Sequence, residues 1–163
     1  MNIRELNTND YETVYGFIVN EMEHPEVSFA DMSVSLDNMR NDVKYLLYVA
    51  VHDNQVVGFV SAAKMIGCID SNYIEITCLV VSDNYQRIGV GKLLLEHIES
   101  LGKRNNIGKF STTSGLHRKA AHDFYIKNGY EIGGLAFYNG QAITDKSRQE
   151  ISSVDKLIGD VWT

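Results

Sequence analysis

Tyr73-Ile74-Glu75-Ile76-Thr77-Cys78-Leu79-Val80-Val81, then Ser82-Asp83-Asn84-Tyr85, then Gln86-Arg87-Ile88-Gly89-Val90-Gly91-Lys92-Leu93-Leu94-Leu95 is the stretch whose reading decides the fold. The first segment is β-branched and apolar, the second a polar break, and the third opens into a leucine-rich helical pattern. Together they read as strand, loop and helix. N–H groups at a helix start have no intrahelical partners and lie at the positive end of the helix dipole. Two glycines there let a diphosphate approach the main chain closely. Gly89 and Gly91 could equally make only a tight strand-to-helix turn, and the G-x-G pattern alone does not choose between the two.

Outward from this stretch, the chain alternates readable elements. Ile3 to Leu6 forms a short strand, with Thr8 or Asn9 as the N-cap of the next element. Tyr11, Val14, Tyr15, Ile18, Val19 and Met22 recur at helical spacing, and His24-Pro25 stops that helix. Ser28-x-x-Asp31 resembles a capping box, opening a second helix striped by Phe29, Met32, Leu36, Met39 and Val43. Two strands, Tyr45 to His52 and Val56 to Met65, flank a turn at Asp53-Asn54-Gln55 and form a hairpin. Gly67 to Asn72 leads into the strand at Tyr73. Beyond the helix carrying Val90, Leu94, Ile98 and Leu101 come a short strand over Ile107 to Thr113, a turn at Ser114-Gly115, and a helix from about His117 to Lys127. Asn128-Gly129 closes that helix. Tyr130 to Tyr138 is a further strand, bent at Gly133-Gly134. A final amphipathic helix carries Ile151, Val154, Leu157, Ile158 and Val161; it packs on the domain or forms a dimer contact.

The 163 residues suit one domain, residues 1–140, with a C-terminal extension over 141–163. The longest apolar runs are too short to span a bilayer and the first ten residues do not resemble a secretion signal, which places the protein in the cytoplasm, away from membranes. Two cysteines, Cys68 and Cys78, do not make a disulfide framework, so both are expected reduced. The five histidines show no metal spacing, and no metal is expected.

Charge is segregated along the chain. Residues 10–42 carry eight acids, Asp10, Glu12, Glu21, Glu23, Glu26, Asp31, Asp37 and Asp42, against Arg40 alone. Residues 86–127 carry eight bases, Arg87, Lys92, Lys103, Arg104, Lys109, Arg118, Lys119 and Lys127, against Glu96, Glu99 and Asp123. Unless these are merely scattered solvated charges, they imply an anionic ligand on the basic part and a cationic one near the acidic part. The net charge of −6 disfavours nucleic acid.

Two motifs in the right order carry a family resemblance over about residues 3 to 138. Leu79-Val80-Val81 followed by Gln86-x-x-Gly89-x-Gly91 resembles the coenzyme A diphosphate loop of the GCN5-related N-acetyltransferases. Ala121-x-x-Phe124-Tyr125-x-x-x-Gly129-Tyr130 resembles that family's following helix and strand. A dinucleotide fingerprint fits less well, because Leu94 stands where it needs a third glycine, and a P-loop would need G-K-S/T. The resemblance implies an α/β (α+β) fold: a mixed, mostly antiparallel sheet with a splayed strand pair, flanked by helices.

The resemblance also implies acetyl-CoA as co-substrate and a set of roles. Leu79, Val80 and Val81 would hold the pantetheine arm on a bulged strand, with a backbone N–H facing the developing oxyanion. Gln86, Arg87, Ile88, Gly89, Val90, Gly91 and Lys92 would cradle the diphosphate. Arg118 stands where the family often has asparagine; it would bind phosphate or be a solvated surface charge. Tyr125 matches the general acid towards the leaving sulfur, a phenol of pKa ~10 facing a thiolate of similar basicity; an aromatic core position is the plainer alternative. Glu75, eleven residues before Gln86, matches the catalytic base of the histone-acetylating members. Burial would suit it to accept an ammonium proton, whereas strand alternation could turn it to solvent or into a structural pair. His117 and His122 are weaker candidates, the plainer alternative being that they are surface histidines. The expected activity is acetyl transfer by direct attack in a ternary complex to a primary amine, a small cationic molecule in view of the acidic first helices. Acetylation of protein N-termini or lysines, and a non-catalytic coenzyme A sensor, are the alternatives.

Overall fold

A computed structural model describes residues 1–69 and 72–133. They fall into two compact units, residues 1–112 and the part of 113–163 that is described. In the first unit β1 (Asn2–Glu5), β2 (Tyr45–His52), β3 (Gln55–Met65), β4 (Tyr73–Val81) and β5 (Lys109–Thr112) form one sheet in sequence order. Every pairing is antiparallel except the parallel β4–β5 pair. Helices α1 (Tyr11–Asn20), α2 (Phe29–Arg40) and α3 (Val90–Arg104) cover the sheet. The mixed, mostly antiparallel α/β architecture is the one expected.

The β2–β3 hairpin turns through Asp53 (φ 47°) and Asn54 (φ 64°), both left-handed, the conformation that matches the twist of a two-residue hairpin. Tyr11, Val14 and Phe17 of α1 and Leu36 of α2 pack with Leu47, Val49, Phe59 and Val80 in one core cluster. Side chains at Val90, Leu94, Leu95 and Ile98 make the buried row of α3 on the opposite face. Close approach of α3 is permitted by Gly58, where a Cβ would lie 3.1 Å from Leu94 Cδ1 and 3.2 Å from the Val80 carbonyl oxygen.

Three local expectations are corrected. The first cap is Asn7, whose side chain accepts from the Asn9 N–H at 2.9 Å while Asp10 accepts from the Asn7 N–H at 2.9 Å, so Thr8 and Asn9 lie inside the turn rather than before it. Ser28 does cap α2, but its hydroxyl rather than its backbone N–H bonds the Asp31 carboxylate, at 2.9 Å. Val43 lies beyond the end of α2 and is 89% exposed, because the helix stops at Arg40.

In the second unit, α4 (Lys119–Lys127) ends at Asn128, whose side chain donates to the Phe124 carbonyl at 2.7 Å, and Gly129 takes φ 88°. Residues 130–133 form no strand. The remainder of the expected strand and the C-terminal helix lie outside the described residues.

Candidate functional site

The site grows from an irregularity in β4. Ser61 of β3 faces Cys78 and Ala62 faces Ile76, so Thr77 has no partner on β3 and forms a β-bulge. One extra residue reverses the side-chain alternation. Before the bulge, Ile74 and Ile76 are buried on the α3 side, with Ile74 Cδ1 against Gly102 of α3. After it, Val80 joins the cluster under α1 and α2, and Cys78 Sγ lies 3.4 Å from Met22 Sδ. Glu75 faces Ala63, which alternates with Ser61 and Phe59, and so lies on the same face as Cys78 and Val80. The bulge thus sets a half-buried carboxylate on the face covered by the acidic helices.

The same strand is open along one edge. β5 pairs with Tyr73 to Ile76 only and ends at Thr112, whose hydroxyl donates to the Ile76 carbonyl at 3.1 Å. From Thr77 onwards no strand lies beside that edge among the described residues. The Val81 carbonyl turns away from β3 and accepts from Gln86 Nε2 at 3.1 Å. Leu79, two residues earlier, directs its main chain to the same edge. This is the splay that leaves backbone N–H and C=O groups available to an extended ligand.

The loop after β4 is braced by Gln86, which also donates to Asp83 Oδ1 at 2.6 Å. Its side chain closes the loop rather than reaching outwards. Arg87 (φ 62°) and Gly89 (φ 96°) are left-handed, and a Cβ at Gly89 would meet open space. Gly89 is the N-cap of α3, and no side chain caps the helix. The first helical bond runs from the Leu93 N–H to the Gly89 carbonyl at 3.0 Å, leaving the N–H groups of Val90, Gly91 and Lys92 ahead of it. Arg87 and Ile88 are exposed, as is Lys92, which lies 3.7 Å from Glu96. Uncapped N–H groups, open space and nearby cations are the features that suit an anion.

The structure thus joins Glu75, Leu79, Val80, Val81 and Gln86 to Lys92 on one continuous scaffold in the first unit. Arg118 and Tyr125 belong to the second. Arg118 is the half-buried N-cap residue of α4. Tyr125 packs edge-on against Phe124 (5.2 Å between centroids) and lies 5.4 Å from the Tyr130 ring. His122 Nε2 donates to the Gly115 carbonyl at 2.9 Å and ties down the turn before α4, a structural task.

The acidic helices hold most of their charge in internal bonds. Arg4 clasps Asp10 through two hydrogen bonds of 2.7 and 2.8 Å. Tyr11 donates to Asp37 at 2.7 Å, and burial raises its phenol pKa, the hydrogen bond from Arg40 acting the other way. In the sequence these acids read as one group; the signal that separates them is that Glu21 continues the inward row Val14, Phe17 of α1.

A family model described as acetyltransferase (GNAT) family matches residues 3–130. The chain belongs to that family. An "uncharacterized N-acetyltransferase" of Bacillus subtilis is 28% identical over 94 residues, covering 57% of this chain and 66% of its own length. The aminoalkylphosphonate N-acetyltransferase of Salmonella typhimurium is 26% identical over 140 residues, covering 83% of this chain and 88% of its own. Among solved structures, an aminoglycoside acetyltransferase from an uncultured soil metagenomic sample, in complex with trehalose, superposes with TM-score 0.74 at 22% identity, over 86% of this chain and 95% of that one. Its likeness concerns the fold. No helix among the described residues of this acetyltransferase-family chain is long and apolar enough to cross a membrane.

Proposed function

We propose that this protein transfers the acetyl group of acetyl-CoA to the primary amine of a small cationic molecule, in a ternary complex. The observation that carries the reading is the sequence of bulge, open strand edge and uncapped helix start from Thr77 to Lys92. The N–H groups of Val90, Gly91 and Lys92 suit the diphosphate, with Gly89 leaving room for it. The main chain of Leu79 to Val81 suits the pantetheine arm.

A backbone N–H at the bulge end of that edge would stabilise the oxyanion formed when the amine nitrogen attacks the thioester carbon; such preorganised donors are worth about 10²- to 10³-fold in rate. Glu75 takes the proton the amine must lose, directly or through water. As the carbon–sulfur bond breaks, its electron pair goes to sulfur and Tyr125 supplies a proton there. These residue roles rest on the family's motifs. The acidic helices on the Glu75 face favour a cationic acceptor. A structural neighbour named for aminoglycosides, which are polycations, points the same way, while the relative named for an aminoalkylphosphonate supports a small amine but not a cationic one. The test is thiol release from acetyl-CoA with polyamines, aminoglycosides, amino acids and peptides. Turnover with small amines supports the reading, and turnover confined to peptides replaces it by protein acetylation. Coenzyme A binding without any turnover makes the protein a sensor.

A further inference from the structure

Among the described residues, Glu21 is the acid of the first two helices whose carboxylate holds a buried oxygen without a hydrogen-bond partner. Asp10 is held by Arg4, Asp37 by Tyr11, Glu26 by His24, Asp31 by Ser28, and Asp42 accepts from the Lys44 N–H. Glu12 and Glu23 are exposed. Glu21 is half-buried, and its Oε2 is fully buried with no hydrogen-bond partner among the described residues. An orphaned carboxylate oxygen is costly, because water is removed and nothing replaces it.

Its position says what would replace it. Val14, Phe17 and Glu21 lie on one row of α1, at spacings of three and four, and Val14 and Phe17 are core residues. Glu21 is the C-cap residue, one turn beyond Phe17, so the inward row ends on a charge where an apolar side chain would be expected. Its neighbour Met22 touches Cys78, the residue directly after the bulge, which fixes this end of α1 beside the part of β4 whose face also carries Glu75. Two carboxylates therefore lie on one side of the sheet, Glu75 on β4 before the bulge and Glu21 at the end of α1.

We propose that Glu21 determines acceptor specificity by binding a second cationic group of the acceptor, one other than the amine that is acetylated. The preferred acceptors are then diamines, diamino acids or aminosugars rather than monoamines. This rests on the acetyl-transfer reading above. A charge-assisted hydrogen bond of this kind gives a diamine preference of about 10- to 100-fold in kcat/KM.

The experiment compares diaminobutane, diaminopentane and lysine with butylamine, pentylamine and norleucine, in wild type and in Glu21→Gln. The expected result is a wild-type preference for the diamine of each pair that falls to about one in Glu21→Gln, through KM for the amine and with KM for acetyl-CoA unmoved. An equal diamine-to-monoamine ratio in the two proteins overturns the proposal. If no amine is acetylated, thermal shift of the coenzyme A-saturated protein decides separately. Stabilisation by diamines in wild type but not in Glu21→Gln keeps the binding role while acetyl transfer fails; no difference overturns the role as well.

Discussion

Ser61 and Thr77 place their hydroxyl oxygens 2.7 Å apart across the point where the β3–β4 register slips by one residue. The hydrogen bond pins the bulge, and the bulge decides that Glu75 shares a face with Cys78 and Val80 while Leu79 and Val81 open on the free edge. Replacing Thr77 by valine keeps the shape and removes the bond. A loss of about 1 kcal/mol in stability is expected, hence a Tm lower by about 2–4 °C, together with a fall in kcat of about tenfold as the edge loses its fixed geometry. Thermal melts and steady-state kinetics check both. An unchanged kcat beside the lowered Tm would mean that the bond serves the fold alone.

Gly89 is strained for any other residue. At φ 96° a side chain costs about 1–2 kcal/mol, and a Cβ would enter the open space in front of the α3 N–H groups. Gly89→Ala should raise KM for acetyl-CoA at least tenfold while leaving the acceptor preference intact. Calorimetric titration with coenzyme A measures the same loss without turnover.

Tyr125→Phe removes only the hydroxyl. As general acid, Tyr125 accounts for about 10²- to 10⁴-fold in kcat, with little change in coenzyme A affinity. Wild-type turnover in the variant would return Tyr125 to the aromatic group it forms with Phe124 and Tyr130.

Acid should destabilise the protein in two stages. Burial, together with nearby Arg104, depresses the His97 pKa below 6.5, so the unfolded chain takes up that proton first and stability declines as pH falls below about 6.5. Burial pushes the Asp10 carboxyl up, but the hydrogen bonds from Arg4 and the Asn7 N–H outweigh it and hold its pKa below 3.8. That contribution is complete above the unfolded value and is lost as pH falls through the range beneath it. Arg4→Ala should diminish the second stage. Because the Arg4 side chain is 37% exposed, the loss at neutral pH is about 1–3 kcal/mol, less than for a fully buried pair. Urea midpoints from pH 8 to pH 3 track both stages.

Where local physics dominates, the fold is legible in the sequence. The α3 row of Val90, Leu94 and Ile98, the Asp53-Asn54 turn and the Gly89 loop each declare themselves through spacing or a backbone demand only certain residues meet. The bulge at Thr77 does not, because the part of β4 after it, Cys78 to Val81, is apolar on both faces and carries no alternation from which a slip could be read. For the same reason the face occupied by Glu75 is set only by its pairing with Ala63. Asn7 is hidden in the sequence by two equally good caps beside it, and Glu21 by the seven other acids of the same stretch, from which nothing in the spacing singles it out before the inward row of α1 is known.

In the proposed complex, coenzyme A lies along the open edge of β4 with its diphosphate at the start of α3. The groups that hold it there are main-chain groups, which side-chain substitution reaches only indirectly. A residue-resolved amide titration with coenzyme A, by NMR shifts and hydrogen exchange, reads them directly. The amides of Leu79, Val81, Val90, Gly91 and Lys92 should shift and slow together, at a single saturation point. Saturable binding that leaves those amides unperturbed would overturn this placement of the cofactor.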